Sequence, residues 1–491
     1  MIENVFCKYR YLPIQAKASF WFLLCLFLQK GISVLTTPIF TRLLTAAEFG
    51  QYNVFNSWLG IASAVVSLNL SFGVYTQGLV KFNKEKDVFT SSLTGLTTVF
   101  ILLWTLIYLA FSDFWNSFFS LTTIQVLSML VMVWTSAIFN FWASYQRAEY
   151  KYIWLIILTI IVSVAKPVLS IALIFHAEDK VTARILGLLI VEVVCYAWLF
   201  LIQQYKGKRF YDKRFWKYAI LFNLPLIPHY LSHTVLNSAD RIMIGRMASV
   251  SEVGIYSLAY SIALVMTLFN TAIMQTINPW LYQKIKEKEY KDISNIGYIS
   301  LIIIGMVNLL LIAFAPEIVT VFAPIEYYEA IWAIPPVAMS VFFMFAYDLF
   351  AKFAFYYEKT VFIMAASVIG ATLNVILNYF LIKKFGYIAA AYTTLFCYFV
   401  FTLFHYIFMN KVCDNFCNSV RPYNSIKLLM ISACFIVLGF SIMLTYNNIM
   451  VRFFGIVLFL ITSFFCRNYI KGFYYQLISE KHVDDFFRSR D

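Results

Sequence analysis

The sequence has few charged residues: they make up 13% of its 491 positions, whereas apolar residues make up 62%. A soluble domain has about 25% charged and about 45–50% apolar residues, so this composition excludes a soluble catalytic domain. The apolar runs are continuous, which excludes a transmembrane β-barrel, because barrel strands alternate over roughly ten residues. We therefore predict an all-α integral membrane protein.

The net charge of +13 would suggest nucleic acid binding in a soluble protein. In a membrane protein the same excess is more typical of basic cytoplasmic loops. Cysteines fall mostly inside apolar runs and do not form the set of four ligands that a structural zinc site needs. We expect no cofactor, no bound metal and no nucleic-acid partner.

Apolar runs long enough to cross a bilayer, about 20 residues each, recur along the whole chain. We predict fourteen of them, with twelve as the alternative. They lie near residues 18–40, 53–78, 89–111, 121–145, 152–176, 183–203, 219–244, 254–281, 293–314, 330–357, 360–382, 387–410, 426–446 and 450–470.

Lysine and arginine are unevenly divided between the two sets of loops. With the N-terminus placed in the cytoplasm, 28 of the 38 basic residues fall on the cytoplasmic side and eight on the opposite side. Basic residues concentrate in cytoplasmic loops, so both termini are predicted to be cytoplasmic. An even number of helices follows.

A short motif occurs twice in the chain, at 42–52 and again at 246–256. Each copy has Arg, Glu, Gly and Tyr at the same relative positions, 204 residues apart. The repeat predicts two six-helix lobes of the same orientation facing a central cavity, which is a transporter architecture. A turn used twice for structure alone is compatible with this arrangement.

The predicted domain boundaries follow from the repeat and the spans. A basic, aromatic linker at 206–218 is expected to lie against anionic lipid at the inner leaflet. It separates an N-lobe (1–205) from a C-lobe (219–412). Two extra helices and a cytoplasmic tail occupy 425–491.

Three charged residues lie near the centres of predicted spans of the N-lobe. An ionisable group at membrane depth costs several kcal/mol, so it usually faces a cavity or a partner. Lys30 lies near the middle of the first span, and Lys166 precedes a proline in the middle of the fifth. Glu192 is central in the sixth span, where it could couple protons, act as counter-ion to Lys166 or tie helices together.

The seventh and tenth spans carry the remaining candidates. His229, His233, Asn237 and Asp240 fall on one helical face, with Arg241 beside it. Hydrogen bonding between helices and metal binding are both compatible with this spacing. Asp348 and Lys352 are spaced i,i+4 and can form a pair on one face. The excess of basic groups favours an anionic substrate such as a pyrophosphate.

Several segments resemble a known family. The first motif, Thr-Arg-Leu-Leu-Thr-x-x-Glu-x-Gly-x-Tyr at 41–52, resembles the signature of polysaccharide-biosynthesis transporters, the Wzx-type O-antigen flippases. Segments 225–232 and 240–260 are similar to that family's seventh and eighth helices, and 374–379 with 386–391 to its eleventh and twelfth. The likeness spans about residues 18–410.

The resemblance implies membership of the multidrug/oligosaccharidyl-lipid/polysaccharide exporter superfamily and a location in a bacterial inner membrane. It implies a flippase that moves a polyprenyl-pyrophosphate-linked oligosaccharide from the cytoplasmic to the periplasmic leaflet by alternating access, without enzymatic chemistry. Lys30, Arg241, Lys352 and Lys166 are the predicted substrate-binding residues. The predicted charge partners or coupling residues are Glu192, Asp240, Asp348, His229 and His233. Membrane lipid, a polysaccharide polymerase and a chain-length regulator are expected partners.

Two other functions are considered. The first is a cation-coupled drug or small-solute antiporter of the same superfamily. Its members commonly carry a carboxylate in the first helix, where this chain has Lys30. The second is a membrane polymerase or glycosyltransferase, which normally presents a sizeable extramembrane loop. The longest predicted outer loop here is about fifteen residues, near 315–329.

Overall fold

The computed structural model describes residues 13–417 and 419–465. Helices form all regular secondary structure in these ranges, which confirms the predicted all-α membrane fold. The internal contacts of the chain divide it into two compact units, Met1–Gly254 and Ile255–Asp491. The predicted boundaries at the linker stay a prediction, and the predicted cytoplasmic ends at 1–12 and 466–491 lie outside the described residues.

The first unit consists of long helices joined by short turns. Helix α7 packs closely on α8, and α1 packs mainly on α7. The helices are α1 (Ile14–Leu43), α2 (Ala46–Val66), α3 (Gly73–Lys81), α4 (Lys86–Ala110), α5 (Ser112–Phe119), α6 (Thr123–Ala148), α7 (Tyr152–Ile174), α8 (Lys180–Gly207), α9 (Lys213–Asn223), α10 (Ile227–Met247) and the first turn of α11 (Val250–Ala263).

The second unit is built around one deeply buried helix, α15, which packs on α13 and α17. Most side chains along this helix are buried. After α11 the helices are α12 (Met266–Glu287), α13 (Tyr290–Ala313), α14 (Ala315–Phe322), α15 (Ile334–Tyr356), α16 (Thr360–Phe385), α17 (Tyr387–Phe416), α18 (Ser425–Leu444) and α19 (Ile449–Phe465).

Eleven helices of the described residues are long and apolar enough to cross a membrane. They correspond to all the predicted spans except the second, seventh and fourteenth. The second is interrupted, the seventh carries the polar stripe, and the fourteenth is described only as far as Phe465. Length and composition therefore recover the spans whose sequence is uniformly apolar.

The second predicted span, 53–78, is wrong as a continuous helix. The chain leaves helical geometry between α2 and α3, where Leu68 and Asn69 have φ of 49° and 50°. The Ser67 hydroxyl accepts the Asn69 amide at 3.2 Å, and the Asn223 side-chain amide donates to the Leu68 carbonyl. These two side-chain hydrogen bonds, one local and one from a residue distant in sequence, replace helical ones, which a hydropathy pattern does not reveal.

Two further predicted segments differ in form. The predicted linker at 206–218 ends inside a helix, α9, whose start is capped by the Asp212 side chain accepting the Arg214 amide at 3.0 Å. The predicted outer loop at 315–329 is largely helical, because α14 and a 3₁₀ helix at Ile325–Trp332 occupy it. Neither segment contains an extended loop.

Candidate functional site

Lys30 lies about halfway along α1, on a face that neighbouring helices leave open. At about 100° per residue, Ser33 and Thr37 share this face. Lys30 and Ser33 are exposed and Thr37 is half-buried. Lys30 Nζ has no carboxylate within ion-pair distance among the residues that the structure describes.

A second open face of α1 is apolar and lies on the opposite side of the helix. It consists of Leu28, Leu35 and Ile39, which are 41%, 73% and 43% exposed. A lysine facing hydrocarbon at mid-bilayer costs several kcal/mol. The leucine face is therefore suited to lipid, whereas the Lys30 face is suited to polar surroundings.

The predicted polar stripe of the seventh span lies on α10, and its residues differ in accessibility. His233 is exposed, whereas Asp240, about 10 Å further along the helix, is 1% exposed. His229 is half-buried, and its Nδ1 has no hydrogen-bond partner in the described part of the chain. Arg241 donates to the Asn237 carbonyl at 2.9 Å. The face is thus open toward the start of α10 and covered toward its end.

Lys166 and Glu192 form an ion pair between α7 and α8. Lys166 Nζ lies 2.6 Å from Glu192 Oε1. The other carboxylate oxygen accepts from the hydroxyls of Thr135 at 2.6 Å and Ser136 at 3.3 Å. Of the roles considered for Glu192, this geometry favours the counter-ion.

Asp348 and Lys352 form the i,i+4 pair on α15 that their spacing predicted. Lys352 Nζ lies 2.8 Å from Asp348 Oδ1. The Lys352 side chain is 12% exposed and that of Asp348 is 32% exposed. The charge of Lys352 is therefore compensated within its own helix.

The predicted substrate-binding cations thus have different local environments. Lys166 and Lys352 each have a carboxylate partner within 3 Å. Lys30 has none in the described residues and lies on an open face. An incoming anion gains most from a cation that the protein does not already neutralise, so Lys30 is the strongest candidate. The predicted site roles of all these residues stay predictions.

The metal-binding alternative finds no support in the geometry of α10. His233 is exposed while Asp240 is buried. Within residues 13–417 and 419–465, no three His, Cys, Asp or Glu side chains are grouped to hold an ion.

The two copies of the repeated motif both begin a helix in the same way. Thr45 and Glu48 form a capping box at the start of α2: the Thr45 amide donates to the Glu48 carboxylate at 2.8 Å, and the Glu48 amide to the Thr45 hydroxyl at 3.3 Å. At the start of α11, the Glu252 amide donates to the Ser249 hydroxyl at 3.1 Å. The motif's glutamates are therefore helix-capping residues.

Tyr52, the tyrosine of the first motif copy, packs against Arg184, a buried arginine that the sequence analysis did not single out. The Arg184 guanidinium lies 3.4 Å from the ring centre of Tyr52 and 3.7 Å from that of Phe40. Arg184 is 8% exposed, and such stacking stabilises a desolvated cation. A basic residue near a span end carries no sequence signal that distinguishes this role.

A buried amide cluster in the second unit also lacked an assigned role. Asn374 and Asn378 on α16 are fully buried. The Asn378 amide donates to Asn374 Oδ1 at 3.1 Å, and the Thr393 hydroxyl of α17 donates to Asn378 Oδ1. The i,i+4 spacing of two asparagines in an apolar span is the signal that points to this cluster.

Comparisons with known proteins agree with the fold. A family model for polysaccharide biosynthesis proteins matches residues 16–285, more than half of the chain, and a MatE model matches residues 225–380. A relative described as Lsg locus putative protein 1, from Haemophilus influenzae, is 23% identical over 270 residues. That match covers 51% of this chain and 62% of the relative, so the chain spans less than two thirds of that protein's length.

Solved structures of other membrane transporters share the fold of this chain. The lipid II flippase MurJ, in an inward closed conformation, matches with a TM-score of 0.71 at 15% identity, over 91% of this chain and 99% of MurJ. An inward-facing multidrug resistance MATE family transporter matches with a TM-score of 0.58 at 13% identity, over 80% and 96%. These structures share the fold, and the family match over more than half of the chain shows that the chain belongs to the polysaccharide biosynthesis protein family.

Proposed function

We propose that the protein is a flippase that moves a polyprenyl-pyrophosphate-linked oligosaccharide, an O-antigen or similar repeat unit, across the bacterial inner membrane. The movement runs from the cytoplasmic to the periplasmic leaflet by alternating access. Family membership supports transport in polysaccharide biosynthesis. The structural feature that carries the proposal is the open polar face of α1 around Lys30.

The chemistry of that face fits a phosphorylated headgroup with attached sugars. Lys30 supplies a cation at mid-helix and Ser33 a hydroxyl group on the same face, whereas the Thr37 hydroxyl donates to the Ser33 carbonyl at 3.0 Å. A pyrophosphate is attracted by the ammonium group at long range and binds hydroxyl donors at short range. The lipid tail remains in the bilayer. The polymerase and the chain-length regulator are proposed as partners in the same membrane.

A cation-coupled antiporter is the second candidate. The MatE match over residues 225–380 and the fold shared with a multidrug transporter favour it. The cationic first helix disfavours it, because a cationic drug would be repelled by Lys30 unless a nearby carboxylate compensated the charge. A drug-efflux phenotype with unaltered surface polysaccharide would decide for the antiporter.

The test is complementation of a strain that lacks the gene. Lys30→Ala is expected to reduce surface polysaccharide strongly, whereas Lys30→Arg retains the charge and is expected to retain part of the activity. Lys151→Ala, which removes an exposed lysine between α6 and α7, is the matched control and should be silent. Wild-type polysaccharide from a normally expressed Lys30→Ala protein would remove Lys30 from the mechanism.

A further inference from the structure

The first turns of α2 and α11 lie directly against each other, and two glycines make this possible. A Cβ atom added to Gly50 would overlap the Val250 carbonyl oxygen and lie 2.9 Å from the Gly254 amide nitrogen. A Cβ atom added to Gly254 would overlap the Ala46 carbonyl oxygen and lie 3.2 Å from the Ala46 Cα. Backbone therefore touches backbone at both positions, which only small residues allow.

The contact is reciprocal. Gly50 and Gly254 are equivalent positions of the repeat, 204 residues apart, and so are Ala46 and Val250. Gly50 contacts Val250, and Gly254 contacts Ala46. The two contacts are therefore equivalent: each glycine touches the residue that stands four positions before the other glycine. Two copies related by a local two-fold axis make contacts of this kind. The repeated motif therefore forms one symmetric contact between its own two copies.

The surroundings of this contact are dry and closely packed. Ala46 and Phe49 are each 4% exposed and Val253 is fully buried. Next to it, Arg246 donates to the Phe118 carbonyl and stacks 5.2 Å from the ring centre of the same residue. On α10, which packs on α2, the His233 side chain is exposed.

We propose that the Gly50–Gly254 contact is the gate that closes the outer side of the transport path and that it must separate in every transport cycle. This proposal rests on the alternating access of the proposed function. The Ala46 and Val250 carbonyls are bonded within their own helices, so separation leaves no polar group unpaired. A contact of backbone atoms is thus suited to repeated opening.

The test measures access from outside to a cysteine on the Lys30 face. In a cysteine-free background, Ser33→Cys is labelled in intact cells with a membrane-impermeant maleimide. Gly50→Ala and Gly254→Ala overfill the closed contact. Overpacking of this kind shifts a conformational equilibrium substantially, so each is expected to raise labelling about fivefold or more.

Two further glycines provide graded controls. A Cβ at Gly60 would meet only side-chain atoms, Thr234 Cγ2 at 3.4 Å and Ser238 Oγ at 3.7 Å, and one at Gly455 would meet nothing within 4 Å. Gly60→Ala should therefore raise labelling little, and Gly455→Ala not at all.

Three outcomes would overturn the proposal. They are unchanged labelling in folded Gly50→Ala and Gly254→Ala proteins, an equal rise in Gly455→Ala, and failure of both gate variants to yield folded protein. The last would show a permanent structural contact. The proposed substrate is tested separately. If labelling increases but loss of the protein does not change surface polysaccharide, the gate is supported and the glycan substrate is refuted.

Discussion

Removing one member of the Lys166–Glu192 pair tests whether this ion pair is a structural element. Breaking a buried pair by removing one partner costs about 3–5 kcal/mol. The side-chain exposures, 4% for Glu192 and 26% for Lys166, make the two single variants unequal. In Glu192→Gln the remaining ammonium is partly exposed, so we expect the free energy of unfolding to fall by about 2–3 kcal/mol, below the usual range.

Lys166→Met should lower the free energy of unfolding more than Glu192→Gln does. It leaves a buried carboxylate that is held only by the Thr135 and Ser136 hydroxyls. We expect the full penalty of about 3–5 kcal/mol. The double variant Lys166→Met/Glu192→Gln leaves no charge behind. Thr135 keeps an acceptor in it, because its hydroxyl also lies 3.1 Å from the Met132 carbonyl. The free energy of unfolding of the double variant should lie within about 1 kcal/mol of that of the wild type.

The assay is reversible unfolding in mixed micelles with sodium dodecyl sulfate, followed by tryptophan fluorescence. The expected order of stability is wild type, double variant, Glu192→Gln and then Lys166→Met. Single variants as stable as the wild type, or a double variant whose loss equals the sum of the two, would refute the reasoning. Surface polysaccharide from a stable double variant then shows whether either charge is needed for transport.

Two further predictions follow from pairs outside this cluster. Tyr52→Leu removes one face of the stack on Arg184 and should lower the unfolding free energy by about 1–2 kcal/mol; Tyr52→Phe, which keeps the ring, should be nearly neutral, and equal losses would contradict the stacking. At the C-terminal end of α6, the Lys86 ammonium donates to the Glu149 carboxylate at 2.6 Å and lowers the pKa of that carboxyl. The pair therefore stabilises the fold above the ordinary pKa of glutamate and ceases to do so as the pH falls through the lowered value. The wild type should be more stable than Glu149→Gln by up to about 1 kcal/mol at pH 7, and the difference should shrink as the pH falls below the ordinary pKa of glutamate; a difference in thermal unfolding that stays constant with pH would argue against it.

Much of the helical framework could be predicted because hydropathy and spacing are local properties. The i,i+4 spacing of Asp348 and Lys352 predicted a pair, and the structure contains it at 2.8 Å. The break between α2 and α3 could not be predicted, because the residues around Leu68 are apolar enough for a continuous helix. It depends on Asn223, which is 155 residues away in sequence and donates to the Leu68 carbonyl.

The sequence by itself determined that this chain is a helical membrane protein with a duplicated motif and a lysine in the middle of its first span. Composition, apolar run length and the 204-residue offset are sufficient for this, because each depends on the order of residues alone. Only the tertiary structure decided which cations are neutralised, since Lys166 and Glu192 meet only where α7 packs on α8. It also decided the use of the repeated glycines. The repeat marks Gly50 and Gly254 as equivalent positions, but their contact follows from the approach of two backbones that only packing can bring together.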